Sequence, residues 1–200
     1  MPFAREAFSF ALPPLVLGLL ALYFGFPWVA IPLVVLAGFV VFFFRDPERK
    51  IPDEADCILS PADGKIVRIR KEAGGTRVSI FLSIFDVHVN RAPVDGRIEH
   101  SEHREGRFLF AFDDRASVEN EQHSFRIGDI SFSLIAGLVA RRIVPWKAQG
   151  DYVQRGDRIA LIRFGSRVDL LVPADGEIAV AEGDRVRAGT SILARRRGLQ

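Results

Sequence analysis

Apolar and polar positions divide this chain into two unequal parts. No charged side chain occurs from Ala7 to Phe44, and the run breaks once, at Gly25-Phe26-Pro27, into apolar stretches over 8–24 and 28–44. A spanning helix needs about 20 apolar residues, with a floor near 17. Each stretch is therefore short, and Pro13, Pro14 and Pro32 weaken both. The pattern predicts a helical hairpin over residues 1–44 that either spans the bilayer twice or dips partway into it. A cleavable signal peptide would have a far shorter apolar core ending at a small-residue site. Arg5 lies at one outer end and Arg45, Arg49 and Lys50 at the other, while the connector is uncharged. By the positive-inside rule both ends face the cytoplasm, which predicts a cell (inner) membrane protein with its polar part on the cytoplasmic side.

Beyond the polar break Arg45-Asp46-Pro47-Glu48-Arg49-Lys50 the period changes. Ile66-Val67-Arg68-Ile69, Val78-Ser79-Ile80-Phe81-Leu82 and Ile130-Ser131-Phe132-Ser133-Leu134 alternate or are β-branched, with turn clusters between them, as strands require. No long amphipathic helical pattern follows residue 50. The predicted fold is mainly β (α+β), with a β-barrel-like domain over 45–200. Pro-x-Asp-Gly-x-Ile occurs three times, at Pro61–Ile66, Pro93–Ile98 and Pro173–Ile178. Gly150-Asp151-x-Val153-x-x-Gly156 returns 33 residues later as Gly183-Asp184-x-Val186-x-x-Gly189. Each Asp-Gly is a tight-turn signal on its own. The two later copies together resemble the hammerhead of biotinyl and lipoyl carrier domains. The tip, Arg163-Phe164-Gly165-Ser166-Arg167, lacks the carrier's lysine, and no lysine follows Lys147. That departure argues strongly against covalent biotin or lipoate.

Composition adds limits. The chain has 200 residues, and all but one of its 27 basic and one of its 25 acidic side chains follow residue 44. A net charge of +2 does not mark a nucleic-acid binder. One cysteine, Cys57, makes an internal disulfide and a Cys-based zinc site impossible, and no metal is expected. The basic residues are mostly arginine, whose fork suits phosphate and carboxylate, so lipid headgroups or anionic substrates are compatible with it.

Gly165-Ser166 can carry chemistry of its own. Glycine leaves the carbonyl open to approach, and the Ser166 hydroxyl can attack the carbonyl of the preceding peptide bond. The N→O acyl shift gives an ester, and β-elimination then leaves dehydroalanine, which hydrolyses to a pyruvoyl group. Such a group is an electrophilic ketone that takes a substrate amine and serves as an electron sink, as pyridoxal phosphate does elsewhere.

The ordered set Phe43-Phe44-Arg45-Asp46-Pro47, Ser60-Pro61-Ala62-Asp63-Gly64, Phe85-Asp86-Val87-His88-Val89-Asn90-Arg91-Ala92-Pro93, Asn120-Glu121 and Phe164-Gly165-Ser166 resembles the phosphatidylserine decarboxylase family. It is most similar to the short bacterial and archaeal-type branch. The resemblance implies a proenzyme that cuts itself into a β chain, 1–165, and an α chain, 166–200, which stay together as a heterodimer. Ser166 becomes the pyruvoyl cofactor of a decarboxylase that acts on a phospholipid in the membrane, converting phosphatidylserine to phosphatidylethanolamine and CO₂. It further implies an Asp-His-Ser arrangement, with Ser166 as nucleophile and Asp63 orienting the base. The longer bacterial branch has a second histidine where this chain has Arg91. His88 is the chemically apt base, since imidazole accepts a proton near neutral pH and guanidinium does not. Arg91 is better suited to bind a carboxylate or phosphate of the substrate. Two other readings fit parts of the sequence: a serine ether lipid of archaeal type as substrate, and a non-enzymatic, membrane-anchored hammerhead adaptor. Homo-oligomerisation is left open.

The remaining candidates have plainer expectations. His100 and His103 lie in a charged stretch read as a solvated loop, and His123 either lines the site or sits in a surface turn. Phe108, Phe110 and Phe112 alternate as a core strand face does, or form an apolar lip for acyl chains.

Overall fold

The structure is a computed structural model that describes residues 3–54, 56–106, 119–137, 142–163 and 166–196. It forms two compact units, Met1–Glu48 and Arg49–Gln200.

The first unit is an antiparallel helix pair, α1 (Glu6–Tyr23) and α2 (Pro27–Phe43). Gly25, at φ 77°, turns the chain, and Pro27 opens α2 where its missing N–H costs nothing. Small residues form the seam: Ala7, Ala11 and Gly18 of α1 and Ala30 and Ala37 of α2 are buried. A Cβ on Gly18 would stand 3.1 Å from Val34 Cγ2 and 3.2 Å from Leu33 Cβ, so glycine sets the closeness of the helices. Large apolar side chains such as Leu12, Leu17, Trp28 and Val35 point outward. Pro13, Pro14 and Pro32 lie inside the helices without ending them. By length and composition α1 is long and apolar enough to cross a membrane, and α2 is shorter.

The second unit is built from strands: β1 (Cys57–Leu59), β2 (Gly64–Glu72), β3 (Gly75–Leu82), β4 (Val89–Arg91), β5 (Gly96–Arg104), β6 (Gln122–Ile127) and β7 (Ile130–Ala136). There follow β8 (Ile143–Pro145), β9 (Tyr152–Val153), β10 (Arg158–Ile162), β11 (Ser166–Pro173), β12 (Gly176–Ile178), β13 (Arg185–Val186) and β14 (Ile192–Arg196). The mainly β expectation holds. An eight-stranded sheet in the order β13-β2-β3-β11-β7-β6-β5-β9 curls into a half-barrel. Two three-stranded sheets, β1-β14-β12 and β4-β10-β8, accompany it.

These orders reveal an internal twofold. The large sheet reads β13-β2-β3-β11 from one edge and β9-β5-β6-β7 from the other, and the small sheets correspond strand for strand. The repeated motifs produce it by pairing crosswise. Ile66 N–H donates to Asp184 O and Gly183 N–H to Ile66 O, both at 2.8 Å; Ile98 N–H donates to Asp151 O and Gly150 N–H to Ile98 O, also at 2.8 Å. One half is β1–β3 with β11–β14, and the other, β4–β10, is inserted within it as one continuous stretch. The chain crosses between halves twice, after Leu82 and after Ile162.

The core lies on one side of the large sheet, where Ile66, Ile80, Val168, Leu170, Leu134, Phe125 and Ile127 are buried together. Strand alternation turns Ser79, Arg167, Asp169 and Ser133 to the other side. The expected loop around His100 and His103 is instead strand β5, paired with β6.

Candidate active site

Antiparallel pairing brings four of the sequence motifs to one end of the large sheet. Gly64, after Asp63, begins β2 beside Phe81, and β3 ends at Leu82. Ser166 begins β11 between Leu82 on one side and Ala136, the last residue of β7, on the other. Asn120 Nδ2 donates to Ala136 O at 2.7 Å, and Ala136 N–H donates to Glu121 O at 2.9 Å.

Ser166 is fully buried, and its Oγ has no hydrogen-bond partner among the described residues. Its side chain shares the face of Val168, Leu170 and Val172, by the two-residue period of the strand. An unsatisfied buried hydroxyl costs roughly 1–3 kcal/mol, and a catalytic role is one of the reasons a protein carries that cost. Gly165 and Phe164 lie outside the described residues.

His88 arrives on the other crossing. Asp86 builds a tight turn, its Oδ2 accepting Ser83 N–H at 2.8 Å and Ser83 Oγ–H at 2.7 Å. The chain then dives inward, and His88 is fully buried. His88 Nδ1 lies 2.9 Å from Asp86 O. A carbonyl only accepts, so Nδ1 carries the proton and a neutral ring has Nε2 as its basic nitrogen. His88 O in turn accepts Ile162 N–H at 3.2 Å and Asn90 Nδ2–H at 3.0 Å. His88 is thus tied to the residue preceding the Arg163–Gly165 crossing, while Leu82, at the start of its own crossing, pairs with Ser166.

Asp63 is 8% exposed and sits at the same end. Arg49 Nη2 donates to its two oxygens at 3.0 and 2.8 Å, and Ala188 N–H donates to Oδ1 at 2.8 Å. Burial pushes its carboxyl above the ordinary value; the Ala188 N–H and Arg49 pull it back, and the Asp86 carboxylate raises it again. The Asp86 carbonyl thus accepts from His88 Nδ1–H, and the Asp63 carboxylate accepts from Arg49 and from Ala188 N–H. Arg91 is buried, its Nη1 donating to Gly156 O at 2.9 Å.

A cleft of about 570 Å³ is lined by His103, Glu105, Gly106, Glu121, His123, Arg142, Ile143 and Pro145; Ile143 pairs with Ile162, four residues before Ser166. His123 belongs to strand β6 and is buried, which replaces the surface-turn alternative. Its Nε2 lies 2.9 Å from Ser101 Oγ, and its Nδ1 has no partner. Desolvation, with His103 and His100 nearby, lowers its pKa to about 4, so the ring is neutral at physiological pH. Arg142 O accepts Arg163 N–H at 3.2 Å. Phe108, Phe110 and Phe112 lie outside the described residues. Arg49, Asp86 and Arg142 were not singled out by the sequence as site residues. Asp86 had a signal, two positions before His88; Arg49 read only as a topology charge.

The site presents a buried serine hydroxyl at a strand start and a buried histidine whose Nδ1 faces a backbone carbonyl. Comparison with known proteins gives its class. A sequence profile of the phosphatidylserine decarboxylases matches residues 36–194. The chain is 51% identical over 174 residues to a phosphatidylserine decarboxylase proenzyme of Solibacter usitatus, covering 85% of each chain. It is 44% identical over 204 residues to a phosphatidylserine decarboxylase proenzyme of Symbiobacterium thermophilum, covering 96% of this chain and 94% of the relative. A Methanothermobacter thermautotrophicus protein, described provisionally as an archaetidylserine decarboxylase proenzyme, is 43% identical over 197 residues, covering 87% of this chain and 88% of that one. These are carboxy-lyases. The chain belongs to the phosphatidylserine decarboxylase family.

Proposed function

We propose that this chain is a self-processing proenzyme that decarboxylates phosphatidylserine to phosphatidylethanolamine and CO₂ at a pyruvoyl group made from Ser166. The observation that carries the reading is the buried Ser166 hydroxyl without a partner at the head of β11. A hydroxyl left unsatisfied there fits a group meant to react rather than to be held.

In processing, Ser166 Oγ bonds to the Gly165 carbonyl carbon as its proton passes to His88 Nε2. The Gly165–Ser166 C–N bond breaks, and the proton is delivered to the released amine of Ser166. Loss of the Ser166 α-proton then expels Gly165 as a carboxylate and leaves dehydroalanine, which water converts to the pyruvoyl group with release of ammonia. The pyruvoyl group supplies the electrophile and electron sink for the substrate's amine-bearing carbon. His88, its Nδ1–H held by the Asp86 carbonyl, returns a proton to that carbon after CO₂ leaves. Asp63 and Arg49 hold the Ala188 turn against the β2 end of the site. Arg91 acts through the Gly156 turn.

The 1–165 and 166–200 chains remain associated, and the catalytic unit works at the cytoplasmic face of the cell membrane, attached through the apolar N-terminal unit. A serine ether lipid is the second reading for the substrate, favoured by the archaeal relative; its headgroup presents the same reacting atoms. Intact mass spectrometry tests the core of the proposal. The purified protein is expected to yield a 35-residue fragment, 166–200, blocked by a carbonyl group, and Ser166→Ala a single uncut chain. Hydroxylamine is expected to inactivate the processed protein. An uncut wild-type chain, or a normal cut in Ser166→Ala, overturns it.

A further inference from the structure

The cleft that His123 lines contains one arginine, Arg142, together with the carboxylates Glu105 and Glu121. Arg142 is exposed at its mouth, and among the described residues no carboxylate pairs with it. Its backbone is held against Arg163, at the start of the segment that leads to Ser166.

The cleft also faces the right way. His123 shares the face of Phe125 and Ile127, which is the core face, and Ser166 shares that face with Val168 and Leu170. Strand β6 lies two strands from β11, with β7 between them, a separation of about 10 Å at the usual strand spacing. A serine phosphodiester whose amine reaches Ser166 has its phosphorus several bonds further out, which calls for an anion-binding group away from the serine itself. A second, independent feature points to a ligand oxygen there. His123 is buried, lines the cleft, and leaves Nδ1 without a partner among the described residues. When the Ser101 hydroxyl donates to Nε2, the ring proton sits on Nδ1 and is available to an anionic oxygen.

We infer that this cleft is the phosphodiester subsite of the enzyme, with the Arg142 guanidinium as its cation and His123 Nδ1–H as its neutral donor. The assignment deepens the proposed function and rests on it for the identity of the substrate. Arginine matches two phosphate oxygens at once, and a neutral imidazole adds a donor without a second charge to desolvate. Glu121 and Glu105, which line the same cleft, disfavour a doubly charged phosphate monoester and leave the singly charged diester preferred.

The test separates binding from turnover. ³¹P NMR titration of the full-length Ser166→Ala protein with glycerophosphoserine is expected to show saturable broadening that is at least about tenfold weaker in Arg142→Met and partly recovered in Arg142→Lys. Free serine is expected not to compete. In the processed enzyme, Arg142→Met is expected to raise KM for phosphatidylserine in mixed micelles about tenfold, with the 166–200 fragment still formed. Equal binding by wild-type and Arg142→Met chains overturns the subsite, as does inorganic phosphate competing as well as the diester. If the chain proves unprocessed and inactive while binding still depends on Arg142, the subsite stands and the decarboxylase reading falls.

Discussion

Arg49 Nη2 closes on both carboxylate oxygens of Asp63, at 3.0 and 2.8 Å, and the two side chains are nearly buried together. Asp95, the counterpart of Asp63 in the other half, accepts Arg155 N–H at 2.8 Å just as Asp63 accepts Ala188 N–H. Capping the neighbouring turn is thus the shared duty of the two aspartates. Each also meets an arginine, but Arg49 and Asp63 are nearly buried, whereas Asp95, 4.0 Å from Arg155 Nε, is half exposed.

Breaking the Arg49–Asp63 pair is expected to be costly. Arg49→Met leaves a buried carboxylate with one donor, which destabilises by about 3–5 kcal/mol when one partner of a buried pair is removed. The Asp63 carboxyl, already raised, rises further. A raised carboxyl binds its proton more readily folded than unfolded, so the stability it contributes is complete at acid pH and declines as pH rises through the folded value. Urea unfolding of Arg49→Met is therefore expected to show its largest deficit at neutral pH and a smaller one near pH 4. Asp95→Asn, at an exposed site, is expected to cost under about 1 kcal/mol.

Asp86 is expected to control the rate of processing without taking part in bond making. Asp86→Ala frees Ser83 N–H and Oγ and loosens the turn that aims His88. Misplacement of a reacting group by about 1 Å costs on the order of 100-fold, and the fragment 166–200 is expected to appear 10- to 100-fold more slowly, by roughly that reasoning. Asp86→Asn keeps an acceptor and is expected to lie near wild type. Timed intact mass after cell-free synthesis measures both.

His123 is expected to make the fold acid-sensitive. Its pKa is about 4 folded against 6.5 ordinarily, so the unfolded chain binds the proton first as pH falls. The stability is fully present above pH 6.5 and lost progressively toward pH 4, by roughly 3 kcal/mol at about 1.4 kcal/mol per pKa unit. His123→Gln is expected to flatten this slope in urea titrations between pH 7 and 4.

Gly64 is expected to be irreplaceable. At φ 153°, an added Cβ would stand 2.2 Å from Phe81 O, a backbone atom that cannot yield. Gly64→Ala is expected to cost about 2–4 kcal/mol in chemical denaturation. Gly96→Ala, which meets the side-chain carbon Ile127 Cγ2 at 2.8 Å, is expected to cost less.

Local patterns carried much of this structure. The uncharged run announced the helix pair, alternation announced the strands, and Asp-Gly turns marked where strands begin. What local pattern could not express was pairing between distant segments. The two Gly-Asp-x-Val-x-x-Gly copies looked like neighbours in one hammerhead, yet the first pairs with Gly96 and the second with Gly64. His100 and His103 read as loop because β5 exposes most of its side chains and shows no apolar alternation, although its backbone pairs fully with β6. Arg49 looked like a topology charge because its partner lies 14 residues on, across the second unit's first strand.

Chain ends are ordinarily the loosest part of a protein. Here the reactive end that processing would create lies inside the sheet, where β11 is laddered on one side to β3 and on the other to β7. Its partners at that point, Leu82 and Ala136, are themselves fully buried. A prosthetic group grown from such a terminus has no tether to swing on and no orientation left to choose. For a group made in this way, the entropy that an enzyme with a diffusible cofactor must remove at each binding event would be removed once, when the chain folds.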